Sequence, residues 1–280
     1  MRPGPGSPLR RRVLTALAAC AAPLPVGARQ EDLPARAAPG GQRSAPRIPE
    51  PAAEQGRGAP AGLPLPPTGT WHFHVHFGGY ESGLKVAVLE YAIEHDGRRY
   101  LIRSSAHAEG IAALVYSGVL SQRSEGGLTP AGLVPTRYWE QRGKRPERSV
   151  NLDHRRREVV FSGNAPLPLV DGVQDRLSAL VQLGLLARAR PERFAAGQAV
   201  EFPELGTSRI VSARYASRGD AVLKTDSGNR RTLHLERVAP RDADDPRIEV
   251  WLGYDLHLLP LRMRVTDAKG RVLDQILDLR

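Results

Sequence analysis

The sequence predicts a mainly β fold: a single antiparallel β-barrel or β-sandwich-like domain over residues 69–280, with one amphipathic helix, about 172–189, packed on the sheet or barrel end. Three observations predict it. After Trp71 the apolar residues alternate with polar ones in short runs, as half-buried strands require. Signals rich in Gly and Asp separate those runs, which favours hairpins over βαβ crossovers. One stretch only, after Pro168, changes to spacings of three and four.

The chain opens differently. Arg10-Arg11-Arg12 precede the apolar run Val13 to Ala19, and small and proline residues follow as far as Val26-Gly27-Ala28. A basic segment, a short apolar segment and small residues before a cut form the plan of a signal peptide, here residues 1–28. Two cleavage readings compete. One cuts after Ala28; the other takes Leu17-Ala18-Ala19-Cys20 as a lipobox, leaving Cys20 as a lipid-bearing first residue. Acyl chains contribute ~0.8 kcal/mol per buried CH₂, so the second reading implies a membrane tether. Residues 29–68, dominated by Pro, Ala and Gly without any period, read as a disordered linker. No later stretch supplies the ~18 continuous apolar residues of a spanning helix, so the expected product is exported, soluble or lipid-anchored.

Charge and cysteine count bound the chemistry. Cys20 is the only cysteine, so the folded zone has no thiol for catalysis, pairing or metal ligation. The net charge of +10 suggests an anionic partner, but four of those charges, Arg2, Arg10, Arg11 and Arg12, sit in the leader. The chain's 40 basic residues include only four lysines, which reflects an arginine-rich coding bias more than phosphate recognition, and nucleic acid is not an expected partner.

Within the folded zone, Leu84-Val86-Val88 and Leu89-Tyr91-Ile93 share one long strand whose phase slips near Val88-Leu89, as a bulge demands. Asp96-Gly97 supplies a tight hairpin, and Tyr100-Ile102 begins the return. Further turn signals stand at Gly126-Gly127, Arg218-Gly219-Asp220, Asp226-Ser227-Gly228 and Lys269-Gly270. Between them lie runs such as Leu233-Leu235, Ile248-Val250-Leu252 and Leu259-Leu261-Met263-Val265. Asp171 is the expected helix cap, with Gln174 reaching back, and Val173, Leu177, Leu180, Val181, Gly184 and Leu185 form one apolar face.

The sharpest chemical pattern is His72, His74 and His76 alternating with Trp71, Phe73, Val75 and Phe77. In a strand those imidazoles share a face with neighbours about 7 Å apart, a candidate zinc, copper or nickel site. The competing reading is a first strand with one buried aromatic face and one wet polar face. Ser82-Gly83-Leu84-Lys85 spells the S-x-x-K of serine nucleophiles, but it opens a strand and lacks the partner motifs. Arg142-Gly143-Lys144-Arg145 and Arg155-Arg156-Arg157 read as solvated turns, and Asp175-Arg176 as an ion pair within the helix or from helix to sheet. No cofactor motif is present and no cofactor is expected.

Three stretches together carry a resemblance. They are Gly132-Leu133-Val134-Pro135-Thr136-Arg137-Tyr138 with Arg142; Asp171-Gly172-Val173-Gln174-Asp175-Arg176-Leu177-Ser178 continuing to Gln182-Leu183; and Thr232-Leu233-His234-Leu235 followed by Glu249-Val250-Trp251-Leu252 and Leu259-Pro260-Leu261-Arg262. In this order they resemble the bacterial domain-of-unknown-function family 3108, across essentially the whole folded zone. The resemblance implies an exported, periplasmic protein of a Gram-negative bacterium with one domain, and it transfers no catalytic residue. The motif residues Asp171, Gly172, Gln174, Asp175, Arg176 and Ser178 are its most specific part. The histidine strand lies outside it.

The expected role is non-catalytic binding of a hydrophobic or lipid-like ligand in the cell envelope. Two other readings are an envelope scaffold that docks protein partners and a metal-dependent enzyme built on His72, His74 and His76.

Overall fold

The computed structural model describes residues 65–110, 112–113, 118–238 and 246–279. The leader, Cys20 and most of the linker lie outside the described residues. The last linker residues do not: Leu65 packs against the core, and the Pro66 carbonyl lies 2.9 Å from His95 Nε2. The packed domain therefore begins a few residues before Gly69.

One sheet contains all the described strands. At its centre β1 (Gly69–Phe77) pairs with β2 (Leu84–His95), beyond which come β3 (Arg99–Ala108), β4 (Val119–Thr129), β5 (Gly132–Arg142), β6 (Arg148–Asp153), β7 (Glu158–Phe161) and β8 (Leu167–Pro168). On its other side β1 pairs with β15 (Val272–Leu277). From there β14 (Pro260–Thr266), β13 (Arg247–Gly253), β12 (Gly228–Val238), β11 (Ile210–Thr225), β10 (Ala199–Leu205) and β9 (Gln174–Asp175) run backwards through the sequence. Neighbours are antiparallel except β9 with β10. The outermost strands, β8 and β9, are joined by the segment 169–173 alone. So short a segment spans at most about 20 Å, so the sheet must curl until its two edges approach. It does not close, because β8 and β9 are not paired.

Several sequence expectations move. The β1–β2 bulge falls at Val86, where the register passes from Val75↔Ala87 to His76↔Lys85, earlier than Val88-Leu89. Both Val86 and Ala87 are buried there, which hides the slip from a simple count of apolar residues. Gly126-Gly127 is not a turn. Both glycines lie inside β4 at a bulge against β5, and a Cβ on Gly126 would collide with the carbonyl of Val134. Arg218-Gly219-Asp220 likewise makes a bulge within β11 and not its end. The turns at Asp96-Gly97, Asp226-Ser227-Gly228 and Lys269-Gly270 stand where expected.

The helix differs most. Helix α1 (Arg176–Ala189) starts after Asp175, whose side chain accepts from the amides of Leu177 and Ser178 while Ser178 Oγ accepts from the Asp175 amide. Asp171, the expected cap, is exposed and pairs instead with Arg157. Gln174 reaches sideways to the Leu133 carbonyl at 2.9 Å. The helix is not amphipathic in the expected sense. Leu177, Val181 and Leu185 enter one apolar cluster, and Ala179, Leu183 and Ala187 enter a second on the other side. A helix that is apolar all round belongs in an interior, and this one runs inside the curl of the sheet, not on its outer surface.

Gly184 lets the helix approach the β13–β14 connection, since a Cβ there would strike the Leu258 carbonyl. Gly184→Val is therefore expected to lower stability by ~1–3 kcal/mol, the usual cost of overpacking. Urea unfolding followed by tryptophan fluorescence measures it, and an unchanged midpoint would contradict the close approach.

Candidate functional site

The curl leaves a half-open cleft between its two arms. In-register neighbours Leu235, Val250, Met263, Gln275 and Val75 form one row across β12 to β1, pointing inward. The cleft, about 130 Å³, is walled by Trp71, Phe73 and Leu89 of β1 and β2 and by Val250, Met263 and Val265 of β13 and β14. Leu177 and Leu180 of α1 form its floor. Such a space suits an apolar group of roughly benzene size or a short length of alkyl chain.

A few polar groups interrupt this lining. Tyr215 donates to Glu204 Oε2 at 2.9 Å, and Arg237 Nη2 lies 3.4 Å from Glu204 Oε1. Burial, reinforced by Glu204, pushes the Tyr215 phenol well up, so it remains a donor. Arg176 Nη1 lies 3.4 Å from Glu140, which Arg142 meets at 3.1 Å. Arg237 Nε and Gln275 Nε2 are buried donors in the cleft lining with no acceptor. The alternation shows how these residues could have been found: Leu233-Leu235-Arg237 and Leu273-Gln275-Leu277 each place a polar side chain where the inward face calls for an apolar one. The lining is mostly apolar, with these few polar groups set into it.

The Asp171–Ser178 motif serves mainly to anchor the helix. Gln174 and Gln182 clasp Leu133, one donating to its carbonyl and the other accepting from its amide, each at 2.9 Å. Ser124 Oγ of β4 donates to Asp175 Oδ2 at 2.5 Å, and Tyr91 donates to the Leu177 carbonyl at 3.0 Å. Arg176 makes the expected helix-to-sheet pair and also lines the cleft. Arg142, expected in a solvated turn, is instead drawn into that pair's network. Asp175 is fully buried, and burial pushes its carboxyl up to about 6 against the pull of its hydrogen bonds from Ser124, Ser178 and Leu177.

The histidines of β1 face away from the cleft, in the row that alternates with it. His234, Trp251, Arg262, Ile276 and His74 are successive register partners on that outer face. His234 stacks on Trp251 at 4.4 Å, and the Arg262 guanidinium sits 5.1 Å from the Trp251 ring. Arg262 also forks onto the buried Asp274, and although burial alone would raise that carboxyl, the arginine holds it below its usual range. His72 is exposed, His74 lies 3.2 Å from Asp278, and His76 meets Tyr80 edge-on at 5.6 Å. His74 and His76 share a second cavity of about 200 Å³ with Lys85 and Asp226, and His72 does not join them. Among the described residues no group of three or more His, Cys, Asp or Glu side chains is arranged to hold a metal ion.

A curled antiparallel sheet wrapped around a buried helix, with an apolar cleft between its arms, places this chain among mainly β, barrel-like proteins. The chain belongs to the family described as "Protein of unknown function (DUF3108)", whose model matches residues 72–276. No curated protein matches it. Among solved structures it is similar to a β-barrel-like protein of domain of unknown function DUF1849 from Brucella abortus, at 13% identity and a TM-score of 0.46, covering 76% of this chain and 96% of that one. It is also similar to a proposed lipoprotein of Parabacteroides distasonis, at 8% identity and a TM-score of 0.33, covering 76% and 95%. Among the described residues no helix is long and apolar enough to cross a membrane.

Asp175 binds its proton more tightly folded than unfolded, so this group stabilises the fold at low pH and the contribution is lost as pH rises past about 6. Asp175→Asn keeps a cap oxygen and cannot titrate. The stability of the parent chain relative to that variant is expected to fall by roughly 2–3 kcal/mol between pH 4 and pH 8. Urea titrations of both proteins across that range measure it; a difference that stays constant would show that the carboxyl titrates normally.

Proposed function

We propose that this protein is an exported component of the bacterial cell envelope that holds a hydrophobic, lipid-like ligand in the cleft between the arms of its sheet, without chemical conversion. The observation that carries the reading is the apolar cleft, walled by Trp71, Phe73, Leu89, Val250, Met263 and Val265. A core that needed only to be stable could fill such a space and gain the lost contacts. The leader plan of residues 1–28 supports delivery outside the cytoplasm, where apolar molecules must be carried through water between membranes.

The leader supports two modes of residence. Cleavage after Ala28 frees the domain in the periplasm, and lipidation of Cys20 tethers it by a linker of Pro, Ala and Gly. Mass spectrometry of the N-terminal peptide from native membranes and periplasm separates these.

Protein taken from its own envelope is expected to carry an apolar small molecule, detected by native mass spectrometry and identified after solvent extraction. Met263→Trp places a large ring in the cleft at a half-buried, flexible position and is expected to weaken uptake of an alkyl probe at least tenfold while the protein stays folded. Protein that emerges empty and fails to take up dodecanol or dodecanoate sinks the proposal.

A further inference from the structure

We propose that His234 is an acid-operated switch on the outer face of the sheet: on taking up a proton it captures Glu249 from Arg247 and loosens the start of β13. This switch is a property of the strands and does not depend on what the cleft holds.

A chain of ion pairs crosses β11, β12 and β13 on that face and ends at His234. Arg218 Nε donates to Glu236 Oε2 at 2.9 Å, Arg247 Nε lies 3.0 Å from Glu236 Oε1, and Arg247 Nη2 donates to Glu249 Oε1 at 3.2 Å. With His234 neutral, the charges along this chain balance. His234 Nε2 lies 3.3 Å from the same Glu249 oxygen, yet it makes no hydrogen bond there. Glu249 Oε1 therefore has two claimants, and at neutral pH only Arg247 carries a charge.

The surroundings decide what a proton does. The His234 ring is stacked on Trp251, and Arg262 and Arg264 lie 5.1 and 5.8 Å from that indole. Both arginines are tied to Asp274, and Arg262 also faces Glu81 at 3.5 Å. A charged imidazole thus joins a neighbourhood of cations, Arg218 on β11, Arg247 on β13, and Arg262 and Arg264 on β14, and the carboxylate it meets is Glu249. Ionised donors make the stronger hydrogen bonds. Arg247 is 56% exposed, and a pair so open to water is weakly held. Proton uptake therefore exchanges one partner for the other and leaves Arg247 on Glu236 alone. Arg247 is the first residue of β13, and its neighbours Pro246 and Ile248 line the cleft, so the loosened segment is part of the cleft's wall. Burial holds the His234 pKa below its ordinary value although Glu249 and Glu236 pull it up. The unfolded chain then takes the proton first, so the stability this site contributes is complete above about pH 6.5 and is lost as the pH falls.

The test follows the histidine ring signals of the full chain by NMR between pH 8 and pH 4.5, with His234 identified by its nuclear Overhauser contacts to the Trp251 indole. Its midpoint is expected below that of an exposed histidine, and a ring that stays neutral throughout overturns the switch. Arg247→Gln removes the competitor at an exposed position and is expected to raise the His234 midpoint by about half a pH unit. A midpoint that does not move overturns the capture of Glu249. Hydrogen exchange of the amides of residues 247–249, corrected for the intrinsic rate, reads the loosening. Their protection is expected to fall severalfold between pH 7.5 and pH 5 in the parent and to hold in His234→Gln. Asp175 changes global stability in the opposite direction over this range, so the parent is read against the variant. Protection that is constant in the parent, or that falls equally in both proteins, overturns the loosening of β13. Should His234→Gln not fold, the same exchange measurement on Arg247→Gln replaces it, where protection independent of pH is expected and an acid-induced loss equal to the parent's counts against the proposal.

Discussion

The fold depends on one buried carboxylate. Asp175 closes the first turn of the helix, accepts from Ser124 on the neighbouring strand, and so fixes where the helix enters the curl of the sheet. Everything apolar in the interior is then distributed by that placement: Leu177, Val181 and Leu185 on one side, Ala179, Leu183 and Ala187 on the other. An interior helix needs its orphan amide donors satisfied without water, and an acidic cap that also meets the sheet does both tasks with one side chain.

The strands were legible in the sequence because a sheet with one solvated face prints a period of two. Runs such as Leu233-Leu235 and Ile248-Val250-Leu252 can be read directly. What could not be read was anything set by a partner strand. Gly126 looks like a turn residue, and only the proximity of Val134 shows that it serves a crossing of backbones within a ladder. Asp171 and Asp175 both stand before the helix pattern, and local spacing favoured the first because the sequence does not show Ser124 waiting for the second. The histidines of β1 share a face as the alternation demands, but that face carries a stacked row of His234, Trp251 and Arg262 and lies across the sheet from the cleft.

The stretches that carried the family resemblance also acquire a common meaning. Gly132–Tyr138 and Asp171–Leu183 touch each other through Leu133, Gln174 and Gln182, and the third stretch forms the transverse row on β12 to β14. These are residues of construction. The cleft is lined by positions outside that pattern, such as Trp71, Arg237 and Gln275, as well as by positions within it.

The first and last strands of the domain lie side by side at the middle of the sheet, Phe73 opposite Leu277. A chain emerging from the ribosome therefore meets its central pairing only once β15 has arrived, and until then the domain is two half-sheets lacking their common seam. Contacts this distant along the chain are slow to form. A protein that lacks β15 is thus opened at its middle, with the edges of β1 and β14 left bare for other chains to join.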